Sequence, residues 1–275
     1  MIQVTSEIIL EPCKAIGILD SGVGGLTVVK EFYRQLPREN IVYFGDTARM
    51  PYGPRSHQEV RSFALEIIEF LQTQEVKMVV VACNSATAAG ISYYQERLDI
   101  PVIGVIEPGA RAALKATRNG RIRVIGTTGT VGSGAYEKDL RQMDSSVQIF
   151  SRACPLLVLI VENNLVSSAE AYRVAEEYLY PLKEEQIDTL ILGCTHYPLL
   201  APLIQEVMGE EVTLISSAEE IAREAKDFFA TRNLLNPLNP VEGNSRFFVS
   251  GKPAMFEEIG DKLLKKKIKV YQVVF

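Results

Sequence analysis

The sequence predicts an α/β fold of two pseudo-symmetric α/β domains with mostly parallel sheets and a cleft between them. Three observations carry this expectation. Short β-branched apolar runs alternate with helical periodicity along the whole chain, the pattern of strand–helix–strand units. Strand-plus-loop segments recur at a nearly constant spacing. In each copy of the repeat a cysteine follows directly on an apolar strand.

The strands are expected at residues 16–19, 41–44, 78–81, 102–106, 122–125, 147–150, 189–192 and 212–215, short runs rich in β-branched and apolar residues. Between the second and third, Val60, Phe63, Ala64, Ile67, Ile68 and Leu71 recur at helical spacing, with Ser56 and Glu59 placed for a capping box at the helix start. Ser217 and Glu220 repeat that signal before Ile221, Ala222, Ala225 and Phe228. Residues 233–244, rich in Pro and Asn, read as a linker. The basic run Lys265-Lys266-Lys267 reads as a solvated helix face.

The repeat is visible when the chain is slid against itself. Ile16-Gly17-Ile18-Leu19-Asp20-Ser21-Gly22-Val23-Gly24-Gly25 is echoed by Ile125-Gly126-Thr127-Thr128-Gly129-Thr130-Val131-Gly132-Ser133-Gly134, offset by 109 residues from Gly17 to Gly126. Val79-Val80-Val81-Ala82-Cys83-Asn84-Ser85 is echoed by Leu190-Ile191-Leu192-Gly193-Cys194-Thr195-His196, offset by 111 from Cys83 to Cys194. The strands beginning at Val102 and Val212 are offset by 110. Two related halves follow, with the chain expected to leave the first near Pro108 and return to it near Ser217: residues 1–108 plus 217–275 form one domain and 109–216 the other.

Composition narrows the function classes. A chain of 275 residues with 47% hydrophobic content buries a sizeable core. A net charge of −5 offers no electrostatic footprint for nucleic acid or an anionic membrane, so a small-molecule partner is expected. Residues 1–14 lack a charged-then-apolar signal pattern, and no apolar run approaches the roughly 18 residues of a membrane span; a cytoplasmic location is expected. The four cysteines Cys13, Cys83, Cys154 and Cys194 are too sparse for a disulfide scaffold. None is in CxxC spacing, and with two histidines in the chain no metal site is expected.

Cys83 and Cys194 each end a strand where open parallel sheets put their ligands. Facing each other about a pseudo-twofold axis, they suit removal of a proton from one face of a carbon and delivery to the other, which requires a base and an acid on opposite sides. A thiol with an ordinary pKa near 8.5 is only a few per cent thiolate at pH 7, so the base needs neighbouring charge or donors. Cys13 and Cys154 lack the strand-end setting and are expected to be structural. His196, two residues beyond Cys194, is placed to hold the thiol's proton or meet a ligand, whereas His57 at the capped helix start is expected to be ordinary. Asp20 and Ser21 open the first glycine loop, whose N–H groups can receive a carboxylate, or Asp20 and Ser21 cap the loop themselves. No Lys-Ser/Thr follows, so the loop is not a Walker motif. Thr127 and Thr128 hold the equivalent place in the second half. Pro51-Tyr52-Gly53, Asn84 and Thr195 are candidate donors to the same cleft, and Asp46 and Glu162 are acidic candidates for tuning it.

Asp20-Ser21-Gly22-Val23-Gly24-Gly25, Pro51-Tyr52-Gly53, Cys83-Asn84-Ser85-Ala86 and Gly193-Cys194-Thr195-His196-Tyr197-Pro198-Leu199 together resemble the signature blocks of the glutamate racemases, in order and spacing over nearly the whole chain. The resemblance implies interconversion of L- and D-glutamate with no cofactor, neither pyridoxal phosphate nor metal, and supply of D-glutamate for peptidoglycan. It implies two α/β domains with the active site between them, and a homodimer. By the same resemblance Cys83 acts on the D-enantiomer and Cys194 on the L-enantiomer, Asp20, His196 and Glu162 assist, and Ser21, Pro51, Tyr52, Gly53, Asn84, Ser85, Thr127, Thr128 and Thr195 bind substrate. Ser85 stands where these enzymes usually carry Thr, keeping the hydroxyl and losing a methyl. The stretch around Glu162 follows their pattern only loosely, and about a dozen extra residues precede Ile16. The nearest rival is an aspartate racemase, in which Glu rather than His is expected after Cys-Thr. A non-catalytic amino-acid or nucleotide sensor is disfavoured by two intact strand-end thiols, and a pyridoxal phosphate racemase by the lack of an evident Schiff-base lysine.

Overall fold

The computed structural model describes residues 10–238 and 245–275. In chain order, the first half holds β1 (Ala15–Asp20), α1 (Leu26–Gln35), β2 (Ile41–Gly45), α2 (His57–Thr73), β3 (Val76–Val81), α3 (Asn84–Gln95), β4 (Val102–Gly104) and α4 (Ile106–Ala116). There follow β5 (Arg121–Gly126), α5 (Thr128–Gly132), α6 (Ala135–Met143), β6 (Gln148–Ala153), α7 (Leu156–Glu162), α8 (Ala169–Lys183), β7 (Thr189–Gly193), a 3-10 turn at Tyr197–Leu200, α9 (Ala201–Met208) and β8 (Thr213–Ser216). The chain closes with α10 (Ser217–Thr231), β9 (Arg246–Val249), α11 (Pro253–Leu264) and β10 (Val270–Gln272).

Two sheets form, with every strand pair parallel: β10-β9-β2-β1-β3-β4 and β6-β5-β7-β8. The order β2-β1-β3-β4 inside the larger sheet matches β6-β5-β7-β8 strand for strand. The repeat in the sequence is thus a repeat of topology: β1 answers to β5, β3 to β7 and β4 to β8.

The central strands are buried on both faces, as parallel strands flanked by helices must be. Successive side chains point to opposite faces. Ile16, Ile18, Ile41, Tyr43, Met78 and Val80 pack with Val28, Val29 and Phe32 of α1 and Phe228 and Phe229 of α10. Their neighbours Leu19, Val42, Phe44, Val79 and Val81 pack with Val60, Ala64, Ile67, Ile68 and Leu71 of α2 on the other side. The smaller sheet is covered by α7, α8 and α9 on one face and by α4 and α6 on the other. α2 starts at the expected capping box: Glu59 N–H donates to Ser56 Oγ at 3.3 Å while Ser56 N–H donates to Glu59 Oε2 at 3.2 Å.

Four local expectations need correction. The strand expected at 102–106 stops at Gly104, because Ile106 already opens α4, which carries the chain to the second sheet. α10 takes Ser216 as its N-cap, with no side-chain cap, so the Ser217/Glu220 box does not form. Lys265 ends α11 in a left-handed conformation, so Lys265-Lys266-Lys267 lies in the turn beyond the helix; Lys267 pairs with Asp261 at 2.8 Å. The short strands β9 and β10 extend the larger sheet where no strand was expected. Of the expected linker, residues 239–244 lie outside the described residues, as do residues 1–9 of the segment before Ile16.

Candidate active site

β1 delivers Asp20 and the glycine loop to one end of the larger sheet, and β3 delivers Cys83, which serves as the N-cap position of α3. In the smaller sheet β5 delivers Thr127, and β7 delivers Cys194, Thr195 and His196. All four segments leave the C-terminal ends of parallel strands, and the two sets meet.

Direct contacts cross the junction. Thr195 Oγ1 donates to Asp20 Oδ1 at 3.1 Å, and Thr27 Oγ1 donates to the Thr195 carbonyl at 3.2 Å. Ser85 Oγ and Thr127 Oγ1 are 2.8 Å apart, and Gly129 N–H donates to the Gly53 carbonyl at 2.8 Å. His57 Nε2 lies 3.3 Å from the Gly129 carbonyl, so this histidine also touches the opposite half. Gly24 leaves the room this approach needs: a Cβ there would sit 2.5 Å from Thr195 Oγ1 and 2.6 Å from His196 Nδ1.

A cavity of about 190 Å³ lies at the junction. That is below the roughly 300–1,000 Å³ of drug-sized ligand pockets, which selects for a small substrate. Ser21, Pro51, Tyr52, Gly53, Cys83, Asn84, Ser85, Thr127, Thr128, Glu162, Cys194, Thr195 and His196 all line it. Of the residues that the resemblance assigns to the site, Asp20 alone stands behind the wall, fully buried. Its Oδ2 accepts from Gly22 N–H at 3.0 Å and Gly25 N–H at 3.1 Å, closing its own loop. Burial raises the Asp20 pKa, although His196, those two amides and Thr195 all pull the other way.

The thiols are each 5% exposed and have different surroundings. Cys83 Sγ lies 3.7 Å from Ser21 Oγ. Burial pushes its pKa up to about 12, with the Asp20 charge adding to the rise and the Ala86 N–H and Ser21 hydroxyl opposing it. A cysteine at a helix N-terminus usually ionises more easily; here desolvation wins. Cys194 Sγ lies 3.5 Å from His196 Nδ1, and His196 Nε2 lies 2.5 Å from Glu162 Oε1 at the end of α7. Burial works against the imidazolium, but the Cys194 sulfur and the Glu162 carboxylate outweigh it, and His196 holds its proton well above the ordinary histidine range.

Tyr52 presents its ring to the cavity while its hydroxyl donates to buried Asp46, whose Oδ1 also accepts from Ser250 Oγ at 2.6 Å. Asp46 is therefore an anchor of the Pro51–Gly53 wall and not part of the lining. Asn84 is 2% exposed, and its Nδ2 has no partner among the described residues. Sequence reasoning missed the apolar wall of Pro155, Val158 and Leu159 on and beside α7. An apolar run such as Leu156–Glu162 carries no periodicity that separates cavity lining from core. Cys154 is fully buried, and Cys13 is exposed.

A family model described as Asp/Glu/Hydantoin racemase matches residues 16–225. The chain is 52% identical over 254 residues to a glutamate racemase of Oceanobacillus iheyensis, covering 92% of each chain. Among solved structures it is similar to a glutamate racemase isoform of Bacillus anthracis, with 51% identity, a TM-score of 0.91 and coverage of 94% of this chain and 97% of that one. It is also similar to a glutamate racemase of Francisella tularensis solved in complex with D-glutamate, with 35% identity, a TM-score of 0.87 and coverage of 96% and 98%.

Proposed function

The chain belongs to the Asp/Glu/hydantoin racemase family, and on that premise we propose that it interconverts L- and D-glutamate by exchanging a proton between Cα and the two thiols Cys83 and Cys194. The observation that supports this most is that two cysteines from equivalent strand ends of two related sheets line one small cavity.

In the proposed reaction Cys194 takes the Cα proton of L-glutamate as thiolate, leaving a carbanion. Cys83, a neutral thiol, returns a proton to the opposite face, giving D-glutamate and a Cys83 thiolate. The reverse reaction runs the same transfers backwards. One proton leaves carbon and one arrives, so atoms and charge balance. With a pKa of about 12, ionising Cys83 at pH 7 costs roughly 7 kcal/mol. The substrate ammonium is the group available to offset this. His196, held charged by Glu162, stabilises the Cys194 thiolate that takes the proton of L-glutamate, and in the reverse direction returns a proton to Cys194 after it has given its own to Cα; Asp20 acts through the glycine loop and Thr195. Ser21, Pro51, Tyr52, Gly53, Asn84, Ser85, Thr127, Thr128 and Thr195 bind the substrate's carboxylates and ammonium, with Cys83, Cys194 and His196 completing the wall.

The proposal extends to supply of D-glutamate for peptidoglycan in the cytoplasm by a homodimer, with domain borders near residues 108 and 217. Among the described residues no helix is long and apolar enough to cross a membrane. Incubation with each glutamate enantiomer in D2O, with no cofactor added, tests the activity. Circular dichroism should decay to zero from either side, and NMR should show deuterium at Cα of the product. No exchange with either enantiomer, or turnover only after pyridoxal phosphate is supplied, overturns the reading.

A further inference from the structure

Tyr136, on the first turn of α6, is 2% exposed and stands between the two cysteine motifs. Its ring packs on Gly193, the residue before Cys194, where a Cβ would come within 3.1 Å of Tyr136 Cε2. Its hydroxyl donates to Asn84 Oδ1, beside Cys83, at 2.7 Å. An asparagine amide has one acceptor end and one donor end. With Oδ1 taken by Tyr136, the donor end is turned away from it, and Nδ2, in a residue that lines the cavity, is buried without a partner among the described residues. Leaving a buried amide N–H unpaired is unfavourable, and an acceptor on a ligand in the cavity offsets that cost. A substrate carboxylate is such an acceptor.

Resting on the racemase reading above, we infer that Tyr136 is a positioning residue: its hydroxyl fixes the Asn84 amide with the NH2 group toward the cavity, to meet a carboxylate of the substrate. Asn84 belongs to the half of the chain that carries Cys83, and Tyr136 to the half that carries Cys194. The bond therefore presents Asn84 for binding only when the two halves are together. Without the hydroxyl the amide is free to rotate and point its oxygen at the substrate, where it repels a carboxylate.

The test is a cycle of Tyr136→Phe, Asn84→Ala and the double variant, each assayed for KM and kcat in both directions, with Tm followed. Tyr136→Phe should raise the KM for glutamate about tenfold, change kcat less than threefold and lower Tm by only a few degrees, the pattern of lost uniform binding. In the Asn84→Ala background Tyr136→Phe should change kcat/KM less than twofold, because its effect runs through the amide. A purely structural tyrosine instead multiplies its loss onto that of Asn84→Ala, and that result overturns the inference, as does an unchanged KM in Tyr136→Phe. Should the single Tyr136→Phe chain not fold, the double variant, which leaves neither partner orphaned, compared with Asn84→Ala still decides. A wild-type protein that does not racemise glutamate removes the parent reading and this inference together, whereas an active wild type with multiplying losses removes this inference alone.

Discussion

Glu162 Oε1 lies 2.5 Å from His196 Nε2, and the other ring nitrogen of that histidine faces Cys194 Sγ at 3.5 Å. A carboxylate, an imidazole and a sulfur thus form one line into the cavity. Glu162→Gln keeps the shape and removes the charge, so burial is left with less to oppose it and His196 loses its proton more easily. Turnover of L-glutamate should fall about 10²-fold, and the alkaline limb of the kcat/KM profile should move to lower pH. A profile that does not move overturns the assignment. Stability follows the same shift. A histidine whose pKa is raised in the folded chain contributes in full below its ordinary 6.5 and loses that contribution as pH rises through the folded value. The gap between wild type and Glu162→Gln in urea midpoint should be widest near pH 6 and narrow as pH is raised.

Cys83 behaves differently. Its pKa, pushed to about 12 by burial, keeps it a thiol in the free protein. Thiolate absorbance near 240 nm should be the same in wild type and Cys83→Ala from pH 7 to 10, and separate only toward pH 12. A thiolate signal lost from the variant at pH 8 contradicts this. Since the folded value lies above the ordinary one near 8.5, the neutral thiol's contribution to stability is complete below about pH 8.5 and disappears as pH rises toward 12.

Two thiols on one cavity predict two essential proton carriers. Cys83→Ala and Cys194→Ala should each lower racemisation by about 10³-fold or more, read as the decay of circular dichroism from either enantiomer. Wild-type-like turnover by either purified variant defeats the two-thiol assignment.

Gly24 makes a sharper steric prediction. An added methyl meets Thr195 Oγ1 and His196 Nδ1 inside van der Waals distance, pushing the second cysteine motif away from the first. Gly24→Ala should reduce kcat/KM by about 10²-fold, since a displacement near 1 Å is enough for that loss, with a Tm change of only a few degrees. Retained activity shows that the two halves tolerate separation at this point.

Away from the cavity, Lys77 and Glu39 form a buried ion pair at 2.6 Å, with Lys77 Nζ also donating to the Pro12 carbonyl at 2.6 Å and the Leu234 carbonyl at 2.9 Å. Burial pulls the Lys77 pKa down, against the Glu39 carboxylate. Lys77→Met strands a buried carboxylate and should cost about 3–5 kcal/mol in urea unfolding, whereas Lys77→Met with Glu39→Leu should recover much of it. Equal losses in the single and double variants show that the pair is not what holds this corner.

The fold class, the internal duplication and the two thiol motifs were legible in the sequence, because each rests on local pattern: apolar runs, the Ser56–Glu59 box, and Cys83 and Cys194 at equivalent strand ends. The two short strands on one side of the larger sheet were not, since the four residues of β9 and three of β10 are too brief to show a period and become strands only by pairing with β2 and with each other. Nor does any local signal tell Ser216 from Ser217 as the cap of α10, or join Tyr52 to Asp46. Tertiary structure decided which distant groups meet: Thr195 on Asp20 and Tyr136 on Asn84 across the two halves, and Glu162 on His196 within the second. Those contacts span 34 to 175 residues of chain. Hydrogen bonding at that range depends on how two packed sheets are oriented, and periodicity along a strand or helix carries no record of it.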